Sequence, residues 1–548
     1  MLTRPAQMPT TARQLRLTGQ GDPSPQTRAL RRLLGLLALI TLGRLIAAGV
    51  TPLSEDEAYY RLWSQHLAFG YYDHPPMVAW WIAAGRWVAG DTALGARLLP
   101  TLATAVCSAL IYGIARRCQA SPATAVRAAI WYNATLLVGF GGHLIVPDGP
   151  SSLFWTTSLY LLLRARGGSH RVWALAGLAA GLAVLSKYSA LFLAPGVFVW
   201  LISGRRGRAR LATPGPWICL AVAVLVASTN LVWNATHDWV SFDKQFGRAA
   251  ADRFTPQHLV ELIGSQAVLI NPLMAPFVLS GLGLAVARRA RSLDGRWLLA
   301  AVTLPFAAYL VVHSLHAGVQ GHWPAPLYPG LAILSAMAAE RAAGWRAVCA
   351  RWVAPVGAAV SVFALVHLAL PGTDWFGRID LSAQMRGWPV FADQVETLRQ
   401  RSGSAWVGAL SFGQVAMLDN ERRIRAPILQ ITERSRYRFQ PPPPAAVLAQ
   451  PGLIVDFSRR VSAEDLKRCF NRVAPLGQIT RGGDARPPLA LQRLGLGPRQ
   501  YTYALFQVEG PRVDLVRDGC WEAKTLADSL RVRQRRAARP RVGSGPGP

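Results

Sequence analysis

Residues 33–50 have the sequence LLGLLALITLGRLIAAGV, in which Arg44 is the one charged residue. An α-helix of this length is about long enough to cross the hydrocarbon core of a bilayer, which takes roughly 20 residues. Further apolar stretches of similar character occupy 94–115, 128–146, 150–163, 172–186, 189–203, 216–234, 259–287, 297–315, 323–339 and 352–371. The chain is therefore predicted to be a polytopic α-helical membrane protein with about eleven transmembrane helices, at roughly 20 residues per crossing.

The composition of the whole chain agrees with this prediction. Of its 548 residues, 51% are hydrophobic and 16% are charged, and the mean hydropathy is +0.22. A chain this apolar is neither disordered nor typical of soluble proteins. Its net charge of +30 also fits a nucleic-acid-binding protein, provided that the basic residues share one soluble face.

The basic residues instead follow the apolar stretches in a regular alternation. Lys and Arg are concentrated in segments 1–32, 116–127, 164–171, 205–210, 288–296 and 341–351, which hold 23 of them. The intervening segments before residue 373 hold seven. Because basic loops remain on the cytoplasmic side of a membrane, we expect a cytoplasmic N-terminus and an outer location for the tail. Membrane lipid is then the expected partner, and a nucleic-acid partner is unnecessary.

The first outside loop, TPLSEDEAYYRLWSQHLAFGYYDHPP at 51–76, concentrates acidic residues beside the membrane. Acidic residues near a bilayer are costly unless they pair or act chemically. Two structural alternatives apply. Ser54 and Glu57 match a capping box, so that Glu57 closes the start of a helix, and Asp56 in the first turn is favoured by the helix dipole. Asp148, in the second outside loop, is likewise either a helix cap or an acid that faces the same cavity.

Lys187 is one of four lysines in a chain that otherwise uses arginine. It lies at the outside edge between two apolar stretches, where it either extends to the interface or offers a cation to a phosphate at the membrane surface. His322 is at the same depth and adjoins Trp323. It is either a member of an aromatic belt or a second phosphate contact.

Several stretches together resemble a known enzyme family. The motif SEDEAYYRLWSQHLAFGYYDHPPMVAWW at 54–81 is similar to the first periplasmic loop of bacterial GT-C glycosyltransferases of family 39. These enzymes are related to the lipid A aminoarabinose and galacturonic acid transferases and to the protein O-mannosyltransferases. The remaining matches, in family order, are GARLLPTL at 95–102, VPDGPSSLFW at 146–155, GLAAGLAVLSKYSALFLAPG at 177–196 and HWPAPLYPG at 322–330.

The resemblance implies a reaction and a set of partners. A sugar would be transferred from a polyprenyl-phosphate donor, at the periplasmic face of the bacterial inner membrane, to an acceptor hydroxyl or phosphate, with inversion. Lipid A, another glycolipid, a polysaccharide or a protein would serve as the acceptor in the cell envelope. No cofactor is required, although carboxylates beside a phosphate leave a divalent cation open.

The resemblance also implies residue roles. Asp56 would be the main catalytic residue, taking the proton of the acceptor, with Glu57 as a helper and Asp148 as a second acid. Lys187 would offset charge on the leaving phosphate. Donor-phosphate binding would involve Lys187, His322 and Arg97, and substrate shaping would involve Tyr60, Tyr71, Tyr72, Asp73 and His74. His322 stands where aminoarabinose-transferring relatives tend to carry lysine.

The expected domains follow from the span pattern and the resemblance together. They are a polar cytoplasmic N-terminus at 1–32, a GT-C transmembrane catalytic domain at 33–372 with the periplasmic loop 51–92, a periplasmic α/β domain at 373–530, and a disordered basic tail at 531–548. In the α/β domain, 405–412 and 451–457 are strand-like and 391–400 is helix-like. Cys469 and Cys520 in this domain either form a disulfide or remain free thiols.

A transporter or lipid flippase is the alternative function. Transporters usually carry ionisable residues in the middle of their spans and show inverted repeats. Here the acids are in loops, and the sequence contains no recognisable repeat. The pattern therefore favours the glycosyltransferase.

Overall fold

The computed structural model describes residues 25–247, 254–289, 293–370, 376–377, 380–482 and 498–520, together with 489 and 493. Most of the expected N-terminal segment, at 1–24, lies outside the described residues. The expected basic tail at 531–548 also lies outside them.

Helices make up the described part of the chain as far as residue 370. They are α1 Pro25–Val50, α2 Glu55–Trp63, α3 Met77–Ala89, α4 Ala93–Arg117, α5 Pro122–Ala134, α6 Leu136–Gly141, α7 Asp148–Ala165, α8 His170–Ser186, α9 Leu193–Ile202, α10 Arg205–Leu211, α11 Pro214–Ala235, α12 Val240–Phe246, α13 Gln257–Leu269, α14 Ala275–Val286, α15 Gly295–Ser314, α16 Tyr328–Ala338 and α17 Trp345–Ala369. Short 3₁₀ helices occur at Tyr188–Phe192, Ala325–Leu327 and Ala339–Arg341.

Among the described residues, five helices are long and apolar enough to cross a membrane. They are Thr27–Val50, Ala93–Arg117, Pro214–Ala235, Gly295–Ser314 and Trp345–Ala369. A sixth span results if Tyr188–Ile202 and Arg205–Leu211, which meet at 119°, count as one. The protein is thus a multi-pass membrane protein, and the count of about eleven crossings, at roughly 20 residues each, stays a prediction.

Small residues let the membrane helices approach closely. A Cβ atom on Gly177 of α8 would lie 2.2 Å from the carbonyl oxygen of Cys219 in α11, and one on Gly181 would lie 2.7 Å from Val226. Without side chains at these positions the two backbones come into contact, which is how helices associate in lipid. The break after α8 follows directly, at Lys187.

The carboxyl-terminal part is a mixed α/β unit. Its helices are α18 Trp388–Arg401, α19 Phe412–Glu421, α20 Ala445–Leu448 and α21 Ala463–Leu466, with 3₁₀ helices at Leu381–Met385 and Arg434–Tyr437. Its strands are β1 Trp406–Ala409, β2 Ile428–Gln430, β3 Gly452–Phe457, β4 Phe470–Arg481 and β5 Tyr501–Pro511. The strand-like runs at 405–412 and 451–457 contain β1 and β3, although β1 ends at Ala409 and residue 412 already begins α19.

The five strands form one sheet in the order β2-β1-β3-β5-β4. β1 pairs in parallel with β2 and β3, whereas β5 is antiparallel to both β3 and β4. Cys469 is buried beside the sheet, and Cys520 packs against the same apolar cluster. Both are free thiols in this structure. A disulfide formed between them by oxidation stays one of the two predicted alternatives.

The sheet unit and the helix α2 share one apolar core. Trp63 of α2, Met77 of α3, and Phe391 and Val415 of the carboxyl-terminal unit belong to the same buried cluster. α19 lies so close to α2 that a Cβ on Gly413 would meet the Glu55 carboxylate at 2.5 Å. The carboxyl-terminal unit therefore covers the loop that carries the candidate acids.

Candidate functional site

The start of α2 determines where the candidate acids point. The Ser54 hydroxyl accepts the backbone N–H of Glu57 while the Glu57 side chain accepts the N–H of Ser54, so the expected capping box is confirmed. Glu57 is thereby turned into the protein. The residue before it, Asp56, faces the other way, toward a cavity.

Glu57 and Arg97 form a wholly buried ion pair, with Arg97 Nη2 2.6 Å from Glu57 Oε2. The backbone N–H of Ile145 also donates to Glu57, at 3.0 Å. Burial alone would raise the pKa of Glu57, but Arg97 and these backbone donors outweigh it, and the pKa lies below its ordinary value. The pair thus binds α2 to the segment that leads into Asp148.

Two expected roles do not fit this geometry. Arg97 donates to Glu57 and to the carbonyl oxygens of residues 48, 51 and 52, so its guanidinium is fully used inside the protein. It is not available to a donor phosphate. Glu57 is not a direct catalytic helper either, because neither side chain lines the cavity. Both side chains instead hold α2 against the neighbouring segments.

The cavity has a volume of about 210 Å³ and lies between the membrane helices and the carboxyl-terminal unit. Its wall combines residues from both parts of the chain. They are Asp56, Tyr59, Tyr60, Asp73, His74, Val146, Pro147, Asp148, Lys187, Gln245, Gln320, His322, Trp323, Phe412 and Arg436. Residues that are up to 380 positions apart in sequence therefore meet in one polar space.

Asp56 has no hydrogen-bond or ion-pair partner within the described part of the chain, although its side chain reaches the cavity. Crowding by protein atoms and the neighbouring carboxylates of Glu55, Asp73 and Glu57 raise its pKa to about 6, which Arg436 only partly offsets. A carboxylate with such a pKa is mostly deprotonated near neutral pH and is still a useful proton acceptor.

Asp148 is the first residue of α7, and its side chain does not cap that helix. Its Oδ1 instead accepts from Lys187 Nζ at 2.7 Å, while its Oδ2 lies 3.6 Å from His322 Nε2. The Lys187 side chain is only 12% exposed, so it does not extend to the lipid interface. Burial in the protein lowers the pKa of His322. The Asp148 carboxylate opposes this shift, and the positive charge of Lys187 adds to it. The structure thus brings together three residues that the sequence had singled out separately.

Asp73 is held by a residue that the sequence did not indicate. Arg436 Nη1 lies 2.5 Å from Asp73 Oδ2, and its Nε donates to Glu433 at 2.8 Å. The Tyr59 hydroxyl also donates to Asp73, at 3.2 Å. Glu433 has a left-handed backbone, with φ 40°, which is rare for a residue with a side chain and turns the chain just before Arg436.

The expected shaping residues divide into two groups. Tyr60, Asp73 and His74 line the cavity. Tyr71 does not: its ring stacks on Trp63 and its hydroxyl donates to backbone carbonyls, so its role is structural. Tyr72 lies outside the cavity wall as well, with Arg436 5.4 Å and Lys244 5.1 Å from its ring centre.

No group of three His, Cys, Asp or Glu side chains suited to a metal ion occurs among the described residues. Two of the cavity carboxylates already contact cations, Asp73 with Arg436 and Asp148 with Lys187. The protein itself thus supplies positive charge to the acids of this site.

Comparisons with known proteins find similarity to membrane sugar transferases. Residues 73–233 match the family of dolichyl-phosphate-mannose-protein mannosyltransferases. Lipid A galacturonosyltransferase RgtD of Rhizobium johnstonii is 30% identical over 319 residues, which cover 55% of this chain and 64% of that protein. The undecaprenyl phosphate-alpha-4-amino-4-deoxy-L-arabinose arabinosyl transferase of Pseudomonas paraeruginosa is 26% identical over 375 residues, covering 56% of this chain and 67% of that protein.

The crystal structure of ArnT from Cupriavidus metallidurans bound to undecaprenyl phosphate matches the fold. It aligns with a TM-score of 0.60 at 13% identity and covers 87% of this chain and 98% of that chain. This chain has the GT-C fold and is related to the lipid A sugar transferases. The resemblance inferred from the sequence motifs is therefore confirmed.

In this GT-C chain two apolar cavities adjoin the polar one. The first, of about 290 Å³, shares Lys187 and His74 with it and continues along Leu191, Phe192 and Phe306. The second, of about 330 Å³, shares Asp148 and His322 with it and runs beside Pro100 and Cys107. The pair Asp148–Lys187 thus stands where the polar space meets apolar space on both sides.

Arg436 is the one charged residue of the cavity wall, within the described part of the chain, that sequence reasoning did not single out. It is one of many arginines in a tail with a strongly basic composition. No local pattern separates it from the others. The only unusual signal nearby, the left-handed backbone at Glu433, is a feature of the structure.

Proposed function

We propose that this protein is a glycosyltransferase that moves a sugar from a polyprenyl-phosphate donor to an acceptor in the bacterial cell envelope. The observation that carries the proposal is one cavity in which the unpaired Asp56 faces Lys187 and His322 at the mouth of an apolar groove. A polyprenyl-phosphate sugar has a lipid tail, a charged phosphate and a polar sugar. The apolar groove, the cation of Lys187 and the polar cavity follow one another in the same order.

The donor would bind with its phosphate at Lys187 and its tail in the apolar groove lined by Leu191, Phe192 and Phe306. A further apolar cavity of about 440 Å³ shares Leu191 and Pro195 with that groove and extends it between α9 and α11. Aliphatic and aromatic side chains there give a prenyl chain the environment that it has in lipid. The sugar would then project into the polar cavity toward Asp56.

The reaction would be a single displacement at the anomeric carbon. Asp56 takes the proton of the acceptor, the acceptor oxygen bonds to the anomeric carbon, and the bond between that carbon and the phosphate oxygen breaks. The electron pair leaves with the phosphate, where Lys187 offsets the developing charge. Attack opposite to the leaving phosphate inverts the configuration.

Asp148 would act through Lys187 and not on the sugar. Its carboxylate is 5% exposed and accepts from Lys187 at 2.7 Å, which holds the ammonium group at the cavity wall. Tyr60 contributes a hydroxyl near Asp56, and His74 and Gln320 add polar groups that suit a sugar ring. Tyr60 and His74 keep the shaping role that the sequence motifs indicate.

The basic segments support an orientation with the N-terminus in the cytoplasm. The acids of α2 and the carboxyl-terminal unit would then lie at the periplasmic face of the inner membrane. The domain division at 33–372 and 373–530 is part of the same proposal. A relative named as a lipid A galacturonosyltransferase makes lipid A the first acceptor to test, followed by another glycolipid, a polysaccharide or a protein.

No described feature favours the transporter that the sequence left as an alternative. The relatives found are transferases, although RgtD is matched over only 64% of its length. The candidate acids lie in loops and at helix starts. Measured sugar transfer therefore tests the proposal. A chelator added to the same assay tests whether the reaction needs a divalent cation.

The test is release of polyprenyl phosphate and labelled product in membranes that contain the full-length protein. Undecaprenyl-phosphate-linked aminoarabinose and galacturonic acid serve as donors, with total envelope lipid as acceptor. Asp56→Asn should abolish product, whereas Asp393→Asn, in an exposed pair with Arg423, should leave it unchanged. Movement of donor across vesicles without any product would reject the transferase and favour the transporter.

A further inference from the structure

We propose that Asn230 of α11 is a positioning residue for donor binding, which holds two segments of the apolar groove beside Lys187 at a fixed separation. This inference rests on the proposed function, because that function assigns the donor phosphate to the mouth of the groove. It follows from the two hydrogen bonds of one amide side chain and from its place on a helix that is otherwise largely exposed.

The helix α11 turns few of its side chains toward the protein. Every residue of this helix is described, and just three of them are buried: Gly215, Asn230 and Asn234. Leu225 and Val232 are 70% and 62% exposed, which suits a helix that faces lipid. A polar side chain on such a helix needs a partner in another protein segment. The two buried asparagines therefore indicate a specific polar contact.

Asn230 joins two segments that line the groove. Its Nδ2 donates to the carbonyl oxygen of Phe69 at 2.7 Å, while its Oδ1 accepts from the hydroxyl of Tyr188 at 2.8 Å. Phe69 lies in the loop that leads to His74, and Tyr188 directly follows Lys187. Both His74 and Lys187 line the apolar groove of about 290 Å³. One amide group thus connects the loop that carries His74 with the break that carries Lys187.

Side chains of α12 continue this contact along the same loop. Ser241 Oγ donates to the carbonyl oxygen of Tyr71 at 2.6 Å, and Gln245 Nε2 donates to that of Asp73. Together with Asn230, they hold the carbonyl groups of residues 69, 71 and 73, which are alternate positions. Residues 64–76 contain no helix or strand, so their backbone polar groups depend on partners elsewhere. These three donors therefore determine the path of the loop.

Gly70 shows how closely the loop approaches α11. A Cβ atom at this position would lie 2.4 Å from the Trp233 ring and 2.6 Å from Nδ2 of Asn230. Contacts this short leave no room for a side chain. On the other side of the bridge, Asn234 Nδ2 lies 3.3 Å from the Tyr188 hydroxyl and supports the same tyrosine. The bridge is therefore packed at both of its ends.

Donor kinetics of the full-length protein in membranes test the inference. Undecaprenyl-phosphate-linked aminoarabinose and galacturonic acid serve as donors, with total envelope lipid as acceptor. Asn230→Leu removes two neutral hydrogen bonds and should raise donor KM roughly tenfold without changing acceptor KM. Thr229→Val, at the adjacent exposed position, is the matched control and should leave donor KM unchanged. A lower kcat with unchanged donor KM in Asn230→Leu would indicate a purely structural role and overturn the inference.

Two further variants test the bridge itself. Tyr188→Phe should raise donor KM several-fold, and its combination with Asn230→Leu should be no worse than the worse single variant, since both remove one contact. Gly70→Ala should also raise donor KM, whereas Gly283→Ala, where a Cβ meets nothing within 4 Å, should not. Additive effects of the first two variants, or a normal donor KM in Gly70→Ala, would contradict the bridge.

Binding of undecaprenyl phosphate alone separates this inference from the proposed function. If the wild-type protein releases no polyprenyl phosphate from either donor, the transferase is rejected, and the inference is judged on the Kd of undecaprenyl phosphate for the detergent-solubilised protein. Asn230→Leu should raise this Kd roughly tenfold, as for donor KM. Equal Kd values for Asn230→Leu and the wild type would overturn the inference, and absence of binding to the wild type would reject both.

Discussion

Glu57 and Arg97 form a buried ion pair directly beside the residue that faces the cavity. Arg97 Nη2 lies 2.6 Å from Glu57 Oε2, and both side chains are 0% exposed. Through Ile145 the same carboxylate contacts the segment that leads to Asp148. This ion pair therefore sets the positions of Asp56 and Asp148 relative to each other, although its own side chains do not line the cavity.

Removing one partner of this buried pair should lower the free energy of unfolding much more than removing one partner of an exposed pair. Arg97→Ala leaves Glu57 buried and uncompensated, which costs about 3–5 kcal/mol. Thermal unfolding of the detergent-solubilised protein measures this. Arg423→Ala, in an exposed pair with Asp393, is the control and should cost no more than about 1 kcal/mol. Equal losses in the two variants would show that Arg97 is not structural.

Activity should depend on a group that titrates near pH 6. Asp56 accepts a proton only when it is deprotonated, and its pKa of about 6 predicts that kcat/KM rises through this pH and levels off above it. The charged groups that influence its pKa are Glu55, Asp73, Glu57 and Arg436. A profile that stays flat from pH 5 to 8 would argue against Asp56 as the base.

The same shift has a consequence for stability. Because the folded state holds the Asp56 proton more tightly than the unfolded chain does, the contribution of Asp56 is most favourable below its ordinary pKa of 3.8 and is lost as pH rises through about 6. Asp56→Asn should therefore be inactive at pH 7.5 but no less stable. A lower Tm for this variant would attribute its inactivity to misfolding.

Lys187 and His322 should affect donor binding. Lys187→Met should raise donor KM by roughly tenfold or more, since a charged hydrogen bond contributes about 1.5–3 kcal/mol. His322→Lys should lower donor KM several-fold at pH 7.5, because lysine is charged there and the neutral histidine is not. Lys467→Met, at an exposed position of the carboxyl-terminal unit, is the matched control. An unchanged donor KM in Lys187→Met would show that the donor phosphate does not bind at Lys187.

The contact between Arg436 and Asp73 should couple the carboxyl-terminal unit to the catalytic loop. Arg436→Ala and Asp73→Ala should each reduce kcat/KM, and the double variant should be no worse than the worse single one. A double-mutant cycle should give a coupling of about 1–3 kcal/mol for a pair in direct contact. The exposed pair of Arg423 and Asp393 should give less than about 1 kcal/mol. Additive effects at Arg436 and Asp73 would mean that the two act separately.

Much of the site was predictable because its signals are local. The capping box of Ser54 and Glu57 is a four-residue pattern, and it forms as expected. Asp56, Asp148, Lys187 and His322 were singled out as polar residues at the edges of apolar stretches, and all four line one cavity. The cost of placing charge near a membrane makes such residues conspicuous without any knowledge of their contacts.

Errors arose where the partner of a side chain is distant. Arg97 has the charge expected of a phosphate contact, yet its guanidinium is used by Glu57, 40 residues away, and by three carbonyls. Tyr71 belongs to the same motif as Asp73 but stacks on Trp63 inside the protein. Residues of one motif point in different directions, and only packing decides which of them reach the cavity.

The sequence by itself determined that this is a polytopic membrane protein and which family its motifs resemble, and through the charge rule it predicts which side of the membrane holds the acids. Hydropathy and charge act residue by residue, so they are legible in one dimension. Only the tertiary structure decided that Arg436 reaches Asp73 across 363 residues of chain. α19 packs against α2 where Gly413 has no side chain, and an arginine among many becomes specific only when the fold places a carboxylate beside it.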